Sequence, residues 1–164
     1  MFPDGPPTPA RAMTRRITRG FDPAALKRAR EEHPNEDLRR RAEVARLAGV
    51  GVATIQQWEA GKKSPQVNLL FRVAAVLGVP MEQLVPIPRE QRYLRDWRVL
   101  RGMLESDLAA RTGISGSSIG RLEEGSAALT DENANRLAEA LGITATEVRA
   151  AYDRARNRAV GAPA

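Results

Sequence analysis

Apolar residues recur along this chain at intervals of three and four, and nowhere do apolar and polar residues alternate over the length of a strand. The pattern predicts an all-α fold. A first helix is expected over Leu26 to His33, stopped by Pro34, and a second, capped by Asp37, runs toward Ala48. Gly49 stands where the chain has to reverse, a place that favours positive φ. A short third helix follows from Val52 to Ala60 and ends at Gly61. Ser64 and Pro65 read as a cap followed by proline at the first helical position, opening a fourth helix that reaches Leu77 and stops at Gly78. A short fifth helix is expected around Pro80 to Leu84.

The same pattern then returns. At an offset of 64, Ala45 falls on Ala109, Gly49 on Gly113, Val50 on Ile114, Thr54 on Ser118 and Ile55 on Ile119. Trp58 falls on Leu122, Glu59 on Glu123, Gly61 on Gly125, and Leu77-Gly78-Val79 on Leu141-Gly142-Ile143. One supersecondary unit therefore occurs twice. In the second copy Ser115 is expected to cap the third helix and Thr130 the fourth, while Thr144-Ala145-Thr146-Glu147 forms a capping box for a longer last helix reaching Arg158. Val85-Pro86-Ile87-Pro88 reads as the hinge between copies. The expected division is a flexible basic arm over 1–20, a first domain over 21–85, a linker over 86–91, a second domain over 92–158 and a tail over 159–164.

Two helices that cross steeply through a turn of about three residues need a small side chain where they meet and a residue tolerant of left-handed backbone in the turn. Ala45 and Gly49 answer this, and Val50, Ile55 and Trp58 are the apolar groups that the turn and the next helix point inward. Ala109, Gly113, Ile114, Ile119 and Leu122 repeat the set at the same internal spacing. The register of Trp58 with Leu122 places its ring in the core rather than on a base. With Glu43-Val44-Ala45-Arg46-Leu47-Ala48-Gly49-Val50 and Thr54-Ile55-Gln56-Gln57-Trp58-Glu59-Ala60-Gly61-Lys62-Lys63-Ser64-Pro65, the chain resembles the Cro/repressor-type helix-turn-helix family, also called the XRE family. The resemblance covers residues 24–86 and, less closely, 92–150. It implies two tandem five-helix, lambda-repressor-like domains whose third helix enters the major groove of double-stranded DNA.

Carried over position by position, the resemblance implies that Val52, Ala53, Gln56 and Gln57 face base edges. Gln can pair bidentately with adenine, and Val or Ala can touch a thymine methyl, which makes Gln57 the foremost reader. Thr54, Lys62, Lys63 and Ser64 are implied phosphate contacts, as is Arg41 near the start of the second helix. The matching positions of the second copy are Gly116, Ser117, Ser118 and Arg121, of which Arg121 can pair with guanine. Departures from the family's pattern are Arg41 and Glu105 where Gln is common, Gly51 in place of a hydroxyl cap, and about four extra residues around His33 to Arg39 in the first copy. Ser126-Ala127 replaces Lys62-Lys63, and Glu123-Glu124 adds negative charge nearby, so DNA contact by the second copy stands beside dimerisation or capture of a protein partner.

Charge sharpens this division. The net charge of +6 lies in the first half, where residues 1–89 hold 15 Lys/Arg against 9 Asp/Glu, whereas residues 90–164 hold 11 of each. A basic half suits a polyanion. Arg11, Arg15, Arg16 and Arg19 form either an arm for a minor groove or a disordered leader. Arg39 to Arg41 are phosphate contacts or a solvated run, and Arg154, Arg156 and Arg158 are surface charge or a tail contact to DNA. Cysteine is absent and His33 has no companion ligand, so no disulfide, metal site or cofactor is expected; His33 reads as a helix-end residue. No apolar run is long enough to span a bilayer or serve as a secretory signal, which leaves a cytoplasmic location as the expectation and no membrane partner.

The residues thus point to a sequence-specific transcriptional regulator, a repressor by the family's habit, whose two recognition units could imitate the half-sites of a dimer spaced by about one helical turn, roughly 34 Å. The rival is a protein-interaction module, such as an antitoxin or adaptor, in which the second domain grips a partner. No nucleophile with a base, metal cluster or phosphate-cradling glycine loop supports an enzyme.

Overall fold

The computed structural model describes residues 15–17 and 19–164, so most of the arm expected over residues 1–20 lies outside the described residues. The chain divides into unit 1, up to Pro86, and unit 2, from Ile87. Unit 1 contains α1 (Pro23–Glu31), α2 (Arg41–Ala48), α3 (Val52–Glu59), α4 (Val67–Leu77) and α5 (Met81–Leu84). Unit 2 contains α6 (Leu94–Leu100), α7 (Glu105–Thr112), α8 (Gly116–Glu124), α9 (Asp131–Leu141) and α10 (Ala145–Arg156). The fold is all-α, with five α-helices to each unit among the described residues and 3₁₀ turns at Glu36–Arg39 and Arg89–Gln91.

Local chemistry accounts for the helix ends, and in unit 1 it moves four of them from where the pattern put them: α1 ends at Glu31, two residues before the expected His33 and ahead of Pro34, and three helices start elsewhere. α1 begins earlier than Leu26 because the Asp22 carboxylate accepts from the Ala24 and Ala25 N–H groups, with Pro23 at the first helical position. Asp37 caps nothing. It lies inside the 3₁₀ turn, which Asn35 caps by accepting from the Asp37 N–H, and α2 starts only at Arg41. Ser64 and Pro65 do not open α4 either. Residues 15–17 lie alongside them instead: Ile17 N–H donates to Pro65 O at 2.9 Å, Val67 N–H donates to Arg15 O at 2.8 Å, and α4 begins at Val67.

The expected caps of unit 2 are present. Ser115 Oγ accepts from Ser118 N–H at 3.2 Å, and Thr130 Oγ1 accepts from Asn133 N–H at 3.1 Å. Thr144 and Glu147 exchange backbone-to-side-chain bonds at 3.0 and 3.1 Å to form the capping box of α10, which ends at Arg156, two residues short of the expected Arg158.

Each unit closes on its own core. Leu26, Val44, Ile55, Trp58, Leu70 and Val73 are buried in unit 1; Leu94, Trp97, Leu108, Ile119, Leu122 and Leu137 are buried in unit 2. Side chains of this size stabilise a fold by about 1.5–3 kcal/mol each when removed from water. Trp58 is 3 % exposed, so its ring is core. His33 lies beyond the end of α1, where Nδ1 accepts from Asn35 N–H at 3.0 Å and Nε2 reaches Leu77 O at 3.0 Å, joining that loop to the end of α4.

Candidate nucleic-acid interface

The turn before the third helix is built alike in both units. Gly49 has φ 68° and Gly113 φ 73°, in the left-handed region that side chains with a Cβ avoid. Gly49 N–H donates to Ala45 O in the first and Gly113 N–H to Ala109 O at 2.9 Å in the second, while the next N–H differs, Val50 donating to Ala45 O at 3.0 Å and Ile114 to Thr112 Oγ1 at 3.2 Å. The chain can therefore leave one helix and enter the next within a few residues, with Ala45 buried at the crossing.

From this turn α3 buries Ile55, Trp58 and Glu59 and turns Val52, Ala53 and Gln56 outward; Gln57 and Thr54 are half-buried at the margin. Val52 is 46 % exposed, a large apolar side chain left in water. Ala53, Gln56, Gln57, Ala60 and Lys62 together line a shallow depression on this face. No side chain caps α3 at Gly51, which leaves the first N–H groups of the helix without a side-chain acceptor.

Beyond α3 the backbone turns on the Gln57 carbonyl, which accepts from Lys62 N–H at 2.9 Å and Lys63 N–H at 3.4 Å. Lys62, Lys63 and Ser64 are all exposed, and neither lysine has a carboxylate within ion-pair distance among the described residues. Unit 2 forms the same loop, with Arg121 O accepting from Ser126 N–H at 2.9 Å and Ala127 N–H at 3.4 Å. Its α8 exposes Ser117 and Arg121, half-buries Gly116 and Ser118, and engages the Ser117 and Ser118 hydroxyls with the Ser115 cap at 3.3 and 2.9 Å.

Under α3 and under α8 lies an ion pair that the sequence pattern did not reveal. Arg30 on α1 grips Glu59 with two hydrogen bonds, and Arg98 on α6 does the same to Glu123. Arg30 and Arg98 are 68 positions apart, whereas their partners are 64 apart. The four-residue difference is the surplus between the first two helices of unit 1. Arg41 adds a third contact, its Nε donating to Glu59 Oε1 at 3.2 Å while its side chain remains 37 % exposed. Its counterpart Glu105 faces Glu123 without that attraction, and Arg95 Nε donates to Glu123 Oε2 at 3.2 Å instead. Burial, and then the charge of Glu123, pushes the Glu105 carboxyl above the ordinary carboxylate range.

The starts of the second helices differ in kind. α2 has no side-chain cap, carries Glu43 in its first turn, paired with Arg46, and is preceded by exposed Arg39 and Arg40, which pair with Glu36 at 3.9 Å and Asp37 at 2.8 Å. α7 has Glu105 and Asp107 in its first turn, and the Asp107 carboxylate accepts from Leu104 N–H at 2.8 Å.

A family profile described as helix-turn-helix matches residues 26–84 and again residues 94–148. The chain is a tandem helix-turn-helix protein of the XRE family. No curated protein and no solved structure matches it. The two matched segments coincide with α1–α5 and with α6 to the start of α10, so α3 and α8 are the third helices of two copies of a DNA-binding regulator family's domain. No described helix of this tandem helix-turn-helix protein is long and apolar enough to cross a membrane.

Proposed function

We propose that the protein is a sequence-specific transcriptional repressor acting in the cytoplasm, in which unit 1 lays α3 in the major groove of double-stranded DNA. The observation that carries this is the outward face of α3, where Val52, Ala53 and Gln56 stand clear of a core formed by the opposite face of the same helix and Gln57 lies half-buried at its margin. Gln57 reads adenine through its amide, and Val52 and Ala53 meet thymine methyls. Lys62, Lys63, Ser64 and Thr54 hold one phosphate strand from the end and flank of the helix, and Arg41 serves the other from the start of α2. The open N-termini of α2 and α3 favour anions at the same surface.

Unit 2 docks in the same manner with a weaker grip, using Gly116, Ser117 and Ser118 at the start of α8 and Arg121 in the place of Gln57. Glu105 in the first turn of α7 weakens its hold at the point where unit 1 carries Arg41. Selection of bound duplexes from a random DNA pool tests both statements. A recovered motif whose preference for adenine disappears in Gln57→Ala supports unit 1 as reader, and a second half-site altered by Arg121→Ala supports unit 2. A pool that yields no enriched motif overturns the reading. A single half-site leaves unit 2 to a protein partner.

A further inference from the structure

Where unit 1 carries Lys62 and Lys63 after its recognition helix, unit 2 has the uncharged Ser126 and Ala127, and the end of α10 comes to this loop instead. The Tyr152 hydroxyl donates to the Ala127 carbonyl at 2.7 Å and accepts from Arg156 Nη1 at 3.0 Å. The Arg156 guanidinium thus stands one hydroxyl away from the backbone of the residue in register with Lys63. The approach is tight, since a Cβ placed on Gly125 would fall 2.7 Å from Arg156 Cα. A second cation sits beside it: Arg158 Nη1 donates to Glu124 O at 2.7 Å, at the C-terminal end of α8.

This arrangement depends on a length difference between the copies. The last helix of unit 1, α5, has four residues, whereas α10 has twelve, and the added turns are what bring Tyr152 and Arg156 to the recognition loop. Arg156 is exposed, and its bond to Tyr152 is to a neutral oxygen, so its charge is not cancelled by a carboxylate among the described residues. Arg158 likewise bonds to backbone carbonyls. The exposed Glu124 offsets one of the two charges, and a surface cleft between Arg156, Arg158 and Ser126 remains open to a phosphate-sized anion.

We propose that Arg156, held in place by Tyr152 and accompanied by Arg158, is the backbone-phosphate contact of unit 2 and replaces the lysine pair of unit 1. The inference rests on unit 2 docking on DNA as described above. The test is the salt dependence of binding by the full chain to a duplex carrying both selected half-sites. Arg156→Gln is expected to lower the log-log slope by about one, as removing a single phosphate neutralisation does, with base preference unchanged. Arg156→Lys is expected to keep the slope, because charge rather than packing makes the contact.

An unchanged slope in Arg156→Gln, while Arg121→Ala alters preference at one half-site, overturns the proposal and leaves the docking of unit 2 standing. No effect from either variant overturns both. Equal slope reductions in the Lys and Gln variants also overturn it, since they would assign Arg156 a structural role through Tyr152.

Discussion

Arg30 and Glu59 meet across the interior of unit 1, with Nε to Oε2 at 2.8 Å and Nη2 to Oε1 at 2.6 Å, their side chains 8 % and 2 % exposed. The pair ties α1 to the last turn of the recognition helix, and the hydrogen bonds to Glu59 hold the Arg30 guanidinium more firmly protonated than usual. Removing one partner strands a buried charge. Glu59→Ala is therefore expected to destabilise unit 1 by about 3–5 kcal/mol, while replacing both residues with well-packed apolar side chains recovers most of that stability. Urea unfolding of the two variants checks this, and equal destabilisation would show that the pair itself, rather than the uncompensated charge, dominates.

Lys62 and Lys63 stand beyond the end of α3 with no carboxylate among the described residues to neutralise them. Replacing both with alanine is expected to flatten the salt dependence of DNA binding by about two in log-log slope. Fluorescence anisotropy over a range of salt concentrations measures it, and a slope equal to that of the parent chain would remove both from the phosphate contacts.

Gln57 lines the depression on the recognition face. Gln57→Ala is expected to cost about 1–3 kcal/mol on the selected site and far less on random duplex. Competition binding gives both numbers, and similar costs on the two DNAs would mean that Gln57 reads no base.

Glu105 is held above the ordinary carboxylate range by burial and by Glu123. A carboxyl raised in this way contributes stability that is complete below its unfolded pKa, about 4.3, and lost as pH rises through the folded value. Glu105→Gln should accordingly raise the melting temperature at pH 7 and leave it unchanged well below the carboxylate range. Thermal unfolding at the two pH values decides, because a shift of the same size at both would point to packing instead.

Gly113 and Gly125 both adopt positive φ, but nothing lies within 4 Å of a Cβ on Gly113, whereas one on Gly125 would strike the Arg156 backbone. Gly113→Ala is expected to cost about 1–2 kcal/mol from conformation alone. Gly125→Ala should cost clearly more and free the end of α10. Comparing the two by denaturant unfolding tests whether that close approach exists.

How far the residues disclosed this architecture depended on the range of the deciding interaction. The caps at Ser115, Thr130 and Thr144 were legible because donor and acceptor lie within three residues of each other. Ser64 misled because non-local chain decides that end, residues 15–17 bonding to the backbone before α4, whereas Asp37 misled because a nearby competitor, Asn35, caps a turn that displaces the start of α2. Glu59 and Glu123 matched as a repeat, yet their arginines stayed hidden behind a changed offset. Arg156 stood out with Arg154 and Arg158 as surface charge or a tail contact to DNA, but its place beside the loop did not, since Tyr152 reaches Ala127 across 25 residues. The outward face of α3 was legible from helical periodicity once Ile55 and Trp58 were assigned to the core.

Unit 2 joins Arg98 to Glu123 across 25 residues where unit 1 takes 29 from Arg30 to Glu59. The surplus is absorbed in the stretch containing the 3₁₀ turn, whose Glu36 and Asp37 face solvent. Half of the molecule manages without that stretch, which makes it a natural berth for foreign cargo. A dye or an affinity tag attached to the exposed side chain at position 36 would ride on the outside and leave the turn and the reading helix undisturbed.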